Sequence, residues 1–452
     1  MAVLVRSGCG WLLDSAGLVD RGCSRCVRWT DERKTRVRCR FKRQWFEIIK
    51  SHYSVKGSAA ADRGNTEELQ RVNKPPKKRK RRHSELNQGE IDSQHFHEKI
   101  RSVILEGTKS LVDSAQLLGY LKGATDKATE PTPLHECGLA ALCEMAKELP
   151  LVDDEEQEES VHSLVAEGGC TSQLDLFSRV TENRTDWATV VTLMGEEYVI
   201  PPHTAFLLSD FTRIQPLVHY EKKFDLIVMD PPWENKSVKR SRRYNSLPSS
   251  QLKRLPVPQL ASPNCLVVTW VTNRPSHLRF VRDELYPHWG IEVIAQWFWV
   301  KVTTSGEFVF PLDSPHKKPY EVLVLGRYRP SADTPRSSSE RSEVPVDDCR
   351  LIVSVPSALH SQKPSLSEVL KLYVGAKATC LELFARSLQP GWTSWGNEVL
   401  KFQHLSYFTV TPTDDDQVDI SDKVCTDKVR DSPASNSPRE SSLPHHSSTT
   451  VD

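Results

Sequence analysis

The chain has 452 residues, with 60 Lys and Arg against 59 Asp and Glu, a formal charge of +1. Hydrophobic residues make up 38% and mean hydropathy is −0.47, so part of the chain lacks the apolar content of a packed core. No apolar run approaches the length of a membrane span, so a soluble protein is expected, and any nucleic-acid affinity must come from local clusters of charge.

In chain order, residues 1–50 hold 12 Lys/Arg against 5 Asp/Glu. This bias weakly resembles a mitochondrial transit segment, but a basic, poorly ordered terminus is the favoured reading. Eleven cysteines with no secretory signal suit free thiols in a reducing compartment. Cys23 and Cys26 have pair spacing for zinc, but Cys9 and Cys39 do not make the second tight pair, so no metal is expected. The stretch Pro75-Pro76-Lys77-Lys78-Arg79-Lys80-Arg81-Arg82-His83 cannot pack its cations together and is read as a solvated nuclear import signal, with a nucleic-acid arm as second choice. Residues 1–90 are thus expected to be mostly disordered and to place the chain in the nucleus, with cytosol or mitochondrion as alternatives.

Apolar positions then recur with helical period at Val103, Ile104, Leu111, Ala115 and Leu118, and again at Leu139, Leu142, Cys143, Ala146 and Leu149. Pro150 and the acidic run Asp153-Asp154-Glu155-Glu156 follow, so residues 91–186 are expected to form a small helical domain ending in a linker. From Trp187 the pattern changes to strands. Thr189–Met194 and Glu197–Ile200 flank Gly195-Glu196 as a hairpin, and further strands are predicted at Phe206–Leu208, Asp225–Met229, Cys265–Val271, Val293–Val300, Tyr320–Leu325, Leu351–Val355 and Cys380–Leu383. Helices are predicted at His277–Leu285 and Leu366–Tyr373. Continuous apolar strands alternating with helices argue for an α/β domain over 187–410 with a sandwiched, mostly parallel sheet. Residues 330–346 read as an insertion, and residues 411–452 as a disordered tail.

Asp230-Pro231-Pro232-Trp233 carries the chemistry. The apolar run Phe224–Met229 delivers it to a strand's carboxyl end, where open α/β sheets bind ligands, and neither proline can donate to a ladder. One carboxylate, rigid carbonyls and one π-face suit a flat base bearing an exocyclic amine: Asp230 and the Pro231 carbonyl accept its two hydrogens while Trp233 stacks on the ring. Such hydrogen bonds localise the nitrogen lone pair and aim it for in-line attack. The base must leave any stack, which favours single-stranded or looped substrate. Beside the tetrapeptide, Asn235, Lys236, Lys239, Arg240, Arg242 and Arg243 precede Tyr244, a group suited to phosphates and a stacked base, and His316-Lys317 opens a second basic loop. Trp270 ends another strand and reads equally as core or site.

With Leu381-Glu382-Leu383-Phe384-Ala385-Arg386 and Gly391-Trp392-Thr393-Ser394-Trp395-Gly396-Asn397-Glu398, the tetrapeptide resembles the DPPW family of adenine N6-methyltransferases. The resemblance covers residues 187–410 and implies a Rossmann-like methyltransferase fold in permuted motif order, with S-adenosyl-L-methionine as donor. It also implies donor contacts at Asp210, Phe211, Asp230, Lys363, Glu382, Arg386, Asn397 and Glu398. The segment after Arg386 is two residues shorter than in the family's mRNA enzyme, and Glu398 replaces a glutamine, which bears on the ribose contacts. Read from the residues alone, Asp210 could simply cap a turn, Lys363 could be a loop cation, Glu382 could hold the donor or pair with Arg386, and Asn397 could be a turn residue. The segments Glu234–Arg240, Phe310–Glu321 and Trp392–Leu400 resemble a branch whose substrate is spliceosomal small nuclear RNA bearing 2′-O-methyladenosine. A DNA adenine methyltransferase and a non-catalytic nucleic-acid scaffold remain the alternatives. No protein partner is indicated, and a monomer is compatible with the sequence.

Overall fold

The structure, a computed structural model, describes residues 2–30, 33–48, 88–121, 143, 161–164, 175–234, 247–314, 317–330, 344–359 and 361–413. The basic run at 75–83, the acidic run at 153–156, most of the second helical stripe, the segment Asn235–Tyr244, His316, most of the 330–346 insertion and the tail lie outside the described residues.

The strands, in chain order, begin with β1 (Val3–Ser7), β2 (Gly10–Leu13), β3 (Cys26–Thr30) and β4 (Arg33–Phe41). There follow β5 (Val161–Ser163), β6 (Val180–Asn183), β7 (Ala188–Leu193), β8 (Glu196–Ile200) and β9 (Thr204–Leu207). Then come β10 (Phe224–Met229), β11 (Ala261–Val271), β12 (Ile291–Lys301) and β13 (Tyr320–Tyr328). The last are β14 (Leu351–Ser354), β15 (Cys380–Leu383), β16 (Trp392–Trp395) and β17 (Phe408–Pro412). Among the described residues they form a 12-stranded sheet, β1-β2-β14-β12-β13-β11-β10-β15-β16-β9-β6-β5, and a 5-stranded sheet, β17-β4-β3-β7-β8.

In the large sheet β10 pairs in parallel with both β11 and β15, β15 with β16, and β16 with β9. On the other flank β12 and β14 run the same way, while β13 is antiparallel to both β11 and β12. This is the Rossmann-like, mostly parallel arrangement that the sequence implies, with β10 preceding β15 in the chain although the two are neighbours. Successive residues of β10 go to opposite faces: Ile227 and Met229 join one apolar cluster, Leu226 and Val228 the other. Both faces are therefore dry, and the chain can present polar groups only where strands end.

Two expectations need correction. Residues 2–30 and 33–48 are not a disordered arm: β1 and β2 extend the large sheet beyond β14, and β3 and β4 build the second sheet with β7, β8 and β17. The period-2 pattern of Val37, Cys39 and Phe41, all buried, identifies β4 as a strand, but the basic residues between them dominate its composition. Cys23, Cys26 and Cys39 are buried in the same apolar cluster. The region 91–186 is likewise not a separate helical domain in its described part. Its helix, Gln88–Leu117, buries Ile104, Leu111 and Ala115 in the main core, and β5 and β6 close the far edge of the sheet. A Cβ added at Gly107 would lie 2.4 Å from Leu351 Cδ1, so glycine is what lets this helix approach β14 closely.

The predicted β7–β8 hairpin is present, but its turn is Met194-Gly195, both with positive φ (51° and 83°), one residue earlier than expected. The helix predicted at His277–Leu285 is split into Pro275–Arg279 and a π-helical turn, Phe280–Leu285. The helix predicted at Leu366–Tyr373 runs over Ser367–Val374.

Candidate active site

The register Met229↔Leu383 between β10 and β15 places Asp230 beside Phe384 at the carboxyl edge of the sheet, where the ends of β11, β12 and β14 also lie. Two cations seat on one oxygen of its carboxylate: Arg386 Nη1 at 2.7 Å and Lys363 Nζ at 3.2 Å, both on Oδ2. Oδ1 has no hydrogen-bond partner among the described residues. The proline carbonyls are already engaged once each. Pro231 O accepts from Trp233 N–H (2.8 Å) and Pro232 O from Leu247 N–H (3.0 Å), which leaves one lone pair on each.

The Trp233 ring is placed differently from the sequence expectation. It is only 5% exposed, donates from Nε1 to the Trp270 carbonyl at 2.8 Å, and stacks on His277 at 4.9 Å with an interplanar angle of 21°. In this conformation the ring is a buried anchor for the tetrapeptide and not an open platform for a base. Burial and the nearby Arg274 push the His277 pKa down to about 4, so its imidazole is neutral near pH 7; it also bonds Thr272 Oγ1 through Nδ1 at 2.7 Å. Trp270 itself is core, its indole packed edge-on against Trp299.

Charges of alternating sign run through the site: Lys301, Glu321, Lys363, Asp230, Arg386, Glu398 and Lys401. Lys363 Nζ lies 3.1 Å from Glu321, Arg386 Nε lies 3.1 Å from Glu398, and Lys401 Nζ lies 2.7 Å from Glu398. Each interior member touches two opposite charges, so the chain tolerates partial burial. For Glu321, burial raises the pKa, but Lys301 and Lys363 outweigh it and hold the carboxyl down at about 2. Burial likewise raises the Glu398 carboxyl, and Lys401 and Arg386 reverse that and keep it low. Burial depresses the Lys363 ammonium, and Asp230 and Glu321 more than restore it.

The other residues assigned to the donor are near the same edge, in varied states. Asp210 and Phe211 follow β9; Asp210 Oδ1 accepts from Thr212 N–H (3.0 Å) and Oγ1 (2.9 Å), and Phe211 stacks on Phe384 at 6.4 Å. Asp210 thus does cap a turn. Glu382 finds its partner in Gln389, whose Nε2 donates at 2.7 Å, and burial raises its pKa to about 7. Arg386 bridges Asp230 and Glu398, and Asn397 is exposed at the end of β16. Of the substrate-capture residues, Asn235, Lys236, Lys239, Arg240, Arg242, Arg243, Tyr244 and His316 lie outside the described residues. Lys317 is exposed, with Nζ 5.2 Å above the Phe310 ring. Its loop is tied to the long helix, where Arg101 holds both oxygens of Asp313 (2.8 and 2.9 Å) and His97 contacts Asp313 and Tyr320 at 3.1 Å each.

Sequence reasoning missed Glu321, Lys301, Gln389 and His277. Glu321 had a signal, a lone carboxylate in an otherwise apolar strand, which is the argument applied to Glu382. Lys301, Gln389 and His277 had none, because what matters is which element folds against them.

A protein-family model, MT-A70, matches residues 224–398, from the first residue of β10 to Glu398. The chain is 53% identical over 336 residues, 73% of its length and 71% of the relative's, to N(6)-adenine-specific methyltransferase METTL4 of Homo sapiens. It is 35% identical over 219 residues to N6-methyladenosine RNA methyltransferase MTA1 of Pyricularia oryzae, covering 46% of this chain and 56% of that one. It is also 35% identical over 217 residues to the DNA N6-methyl methyltransferase of Caenorhabditis elegans, 48% of this chain and 56% of that one. The edge built around Asp230 and these similarities lead to one conclusion: the chain belongs to the MT-A70 family of adenine N6-methyltransferases, enzymes that take their methyl group from S-adenosylmethionine.

Proposed function

We propose that the chain methylates the exocyclic amine of adenosine in RNA, with spliceosomal small nuclear RNA bearing 2′-O-methyladenosine as the substrate, and that it does so in the nucleus. The observation that carries the reading is the pinned carboxylate. With both cations on Oδ2, Asp230 is held still and Oδ1 is left to accept one amine hydrogen, while the second goes to the remaining lone pair of the Pro231 carbonyl. Two such acceptors fix the nitrogen's orientation and localise its lone pair, which is where positioning lowers the barrier. Asp230 acts by orientation; the amine turns acidic only once the methyl group has begun to transfer.

The residues at this edge fit the donor. Lys363 offers a cation for a carboxylate, Asp210, Glu382, Asn397 and Glu398 offer acceptors for hydroxyl and ammonium groups, and Phe211 offers an aromatic wall. When bound, S-adenosylmethionine supplies an electrophilic methyl group on a sulfonium. Arg386 then serves as a positioning residue: its guanidinium ties Asp230 to Glu398 and so couples the acceptor side of the site to the donor side.

RNA is favoured because an adenine reaching Asp230 must be unstacked, which costs least from a single strand, and because the basic segment Lys236–Arg243 suits a backbone in that state. DNA remains the second reading, since a relative of equal identity is named for it. Methyl transfer from labelled donor to matched RNA and DNA oligonucleotides decides between them. The RNA reading requires faster incorporation into RNA, and incorporation confined to DNA rejects it. For the nuclear reading, replacing Lys77–Arg82 with alanine should leave a fluorescent fusion cytosolic; an unchanged nuclear signal rejects it.

A further inference from the structure

Over β17, β4 and β3, one face of the 5-stranded sheet carries charge that the active site does not use. From Val37 on, strand β4 alternates: Val37, Cys39 and Phe41 are buried against Phe402, Tyr407 and Phe408, so Lys34, Arg36, Arg38 and Arg40 project from the opposite face, and all four are exposed. Register places their neighbours. Trp29 is opposite Lys34 and Val27 opposite Arg36 on β3, while Thr411 is opposite Arg38 and Thr409 opposite Arg40 on the edge strand β17. The four cations therefore form a line about 20 Å long with side chains roughly 7 Å apart, bordered by small or apolar groups. Lys34 Nζ sits 4.6 Å above the Trp29 ring.

A chain with 60 basic and 59 acidic residues has counter-charges in ample supply, yet among the described residues no carboxylate pairs with Lys34, Arg36 or Arg38. Arg40, by contrast, is within electrostatic reach of Asp20. Like charges on one strand face repel one another and gain nothing for the fold. An anionic strand laid along them would relieve that repulsion, and a half-buried indole among cations is the combination that tracks single-stranded nucleic acid.

We infer that this face of β4, with Trp29, is a docking surface for the phosphate backbone of single-stranded RNA outside the reacting adenosine. The inference rests on the RNA reading above. It assigns to Trp29, Lys34, Arg36, Arg38 and Arg40 a role in holding the flanking strand, while the edge at Asp230 holds the base.

The test uses the full chain and a uridine oligonucleotide, which has no adenine for the active site to recognise. Replacing Lys34, Arg36 and Arg38 together with threonine keeps β-propensity and removes three charges. The slope of log affinity against log salt should fall by roughly 2, about 0.7 per lost contact, so that between 50 and 200 mM salt the wild type loses on the order of twentyfold more affinity than the variant. Unchanged melting temperature and donor affinity would show that the variant is folded, and Arg36→Lys with Arg38→Lys should keep the wild-type slope, because the surface counts charges. Identical slopes for wild type and the threonine variant overturn the proposal. Methylation of an adenosine RNA, measured in parallel, separates the two ideas: methylation with identical slopes rejects the surface alone, and no methylation of RNA rejects the RNA reading.

Discussion

Asp230 is the residue on which the site turns, and its neighbours explain why it can be still without being inert. Two cations on one carboxylate oxygen fix the plane of the group and leave the other oxygen without a partner among the described residues, the one that the proposed function gives to the substrate. Lys363 has a second duty, since its ammonium also faces Glu321, and Glu321 has Lys301 in reserve. Removing Lys363 therefore leaves each carboxylate one cation, and the fold should survive. Lys363→Ala is expected to weaken donor binding by roughly 1.5–3 kcal/mol, the worth of a charge-assisted contact, with a smaller effect on RNA affinity. Calorimetry with the donor measures this directly, and unchanged affinity would make Lys363 a counter-ion of Asp230 and nothing more. At this scale the sequence showed which groups stand together at the carboxyl end of β10, because Asp230-Pro231-Pro232-Trp233 is contiguous. It did not reveal the orientation of Trp233, because the direction of an indole depends on Trp270 and His277, brought together by β11 and the turn after it.

Among the elements, β13 does what no parallel strand could. Running against its neighbours, it brings its first residues, Tyr320 and Glu321, to the edge where β10, β11 and β12 end, and the register Trp299↔Glu321 sets the carboxylate beside Lys301. The long helix Gln88–Leu117 supports the same edge from outside through His97 and Arg101 on the 310–320 loop and Asp92 on Arg279. Its stripe at Ile104, Leu111 and Ala115 was legible as a helix; that it packs on the catalytic sheet and not in a domain of its own was not, because periodicity shows which face is buried and not what buries it. If the helix belongs to the catalytic body, Leu111→Ala, at a fully buried position, should cost about 2–5 kcal/mol and lower a melting transition that the catalytic core shares. A separate low-temperature transition, with donor binding lost at the unchanged higher one, would show an independent helical domain.

For the whole molecule, the strands of 187–410 were readable because their apolar runs are continuous, as a sheet covered on both faces requires. The contribution of residues 2–48 was hidden because β4 is half basic, and averaged composition cannot distinguish a charged strand face from a disordered arm. The buried charges also set a pH dependence. Burial raises Glu382 from the ordinary value of 4.5 to about 7, so between those values the folded state binds more protons than the unfolded state. The stability linked to that proton is present below about pH 4.5 and is lost as pH rises through about 7. Melting curves from pH 5 to 8 should therefore fall more steeply with pH in the wild type than in Glu382→Gln, whereas parallel curves would mean that Glu382 is ionised throughout.

On the proposed function, the adenine amine that accepts the methyl group is held by Oδ1 of a pinned Asp230. The most direct test of this is the nucleoside composition of an adenosine-containing RNA after incubation with donor and either the wild type or Asp230→Asn, an isosteric change that should preserve folding and measurable donor binding. N6-methyladenosine is expected from the wild type, with a loss of turnover on the order of a hundredfold or more in the variant. Near-normal formation of N6-methyladenosine by a folded, donor-binding Asp230→Asn protein would contradict that role of Asp230.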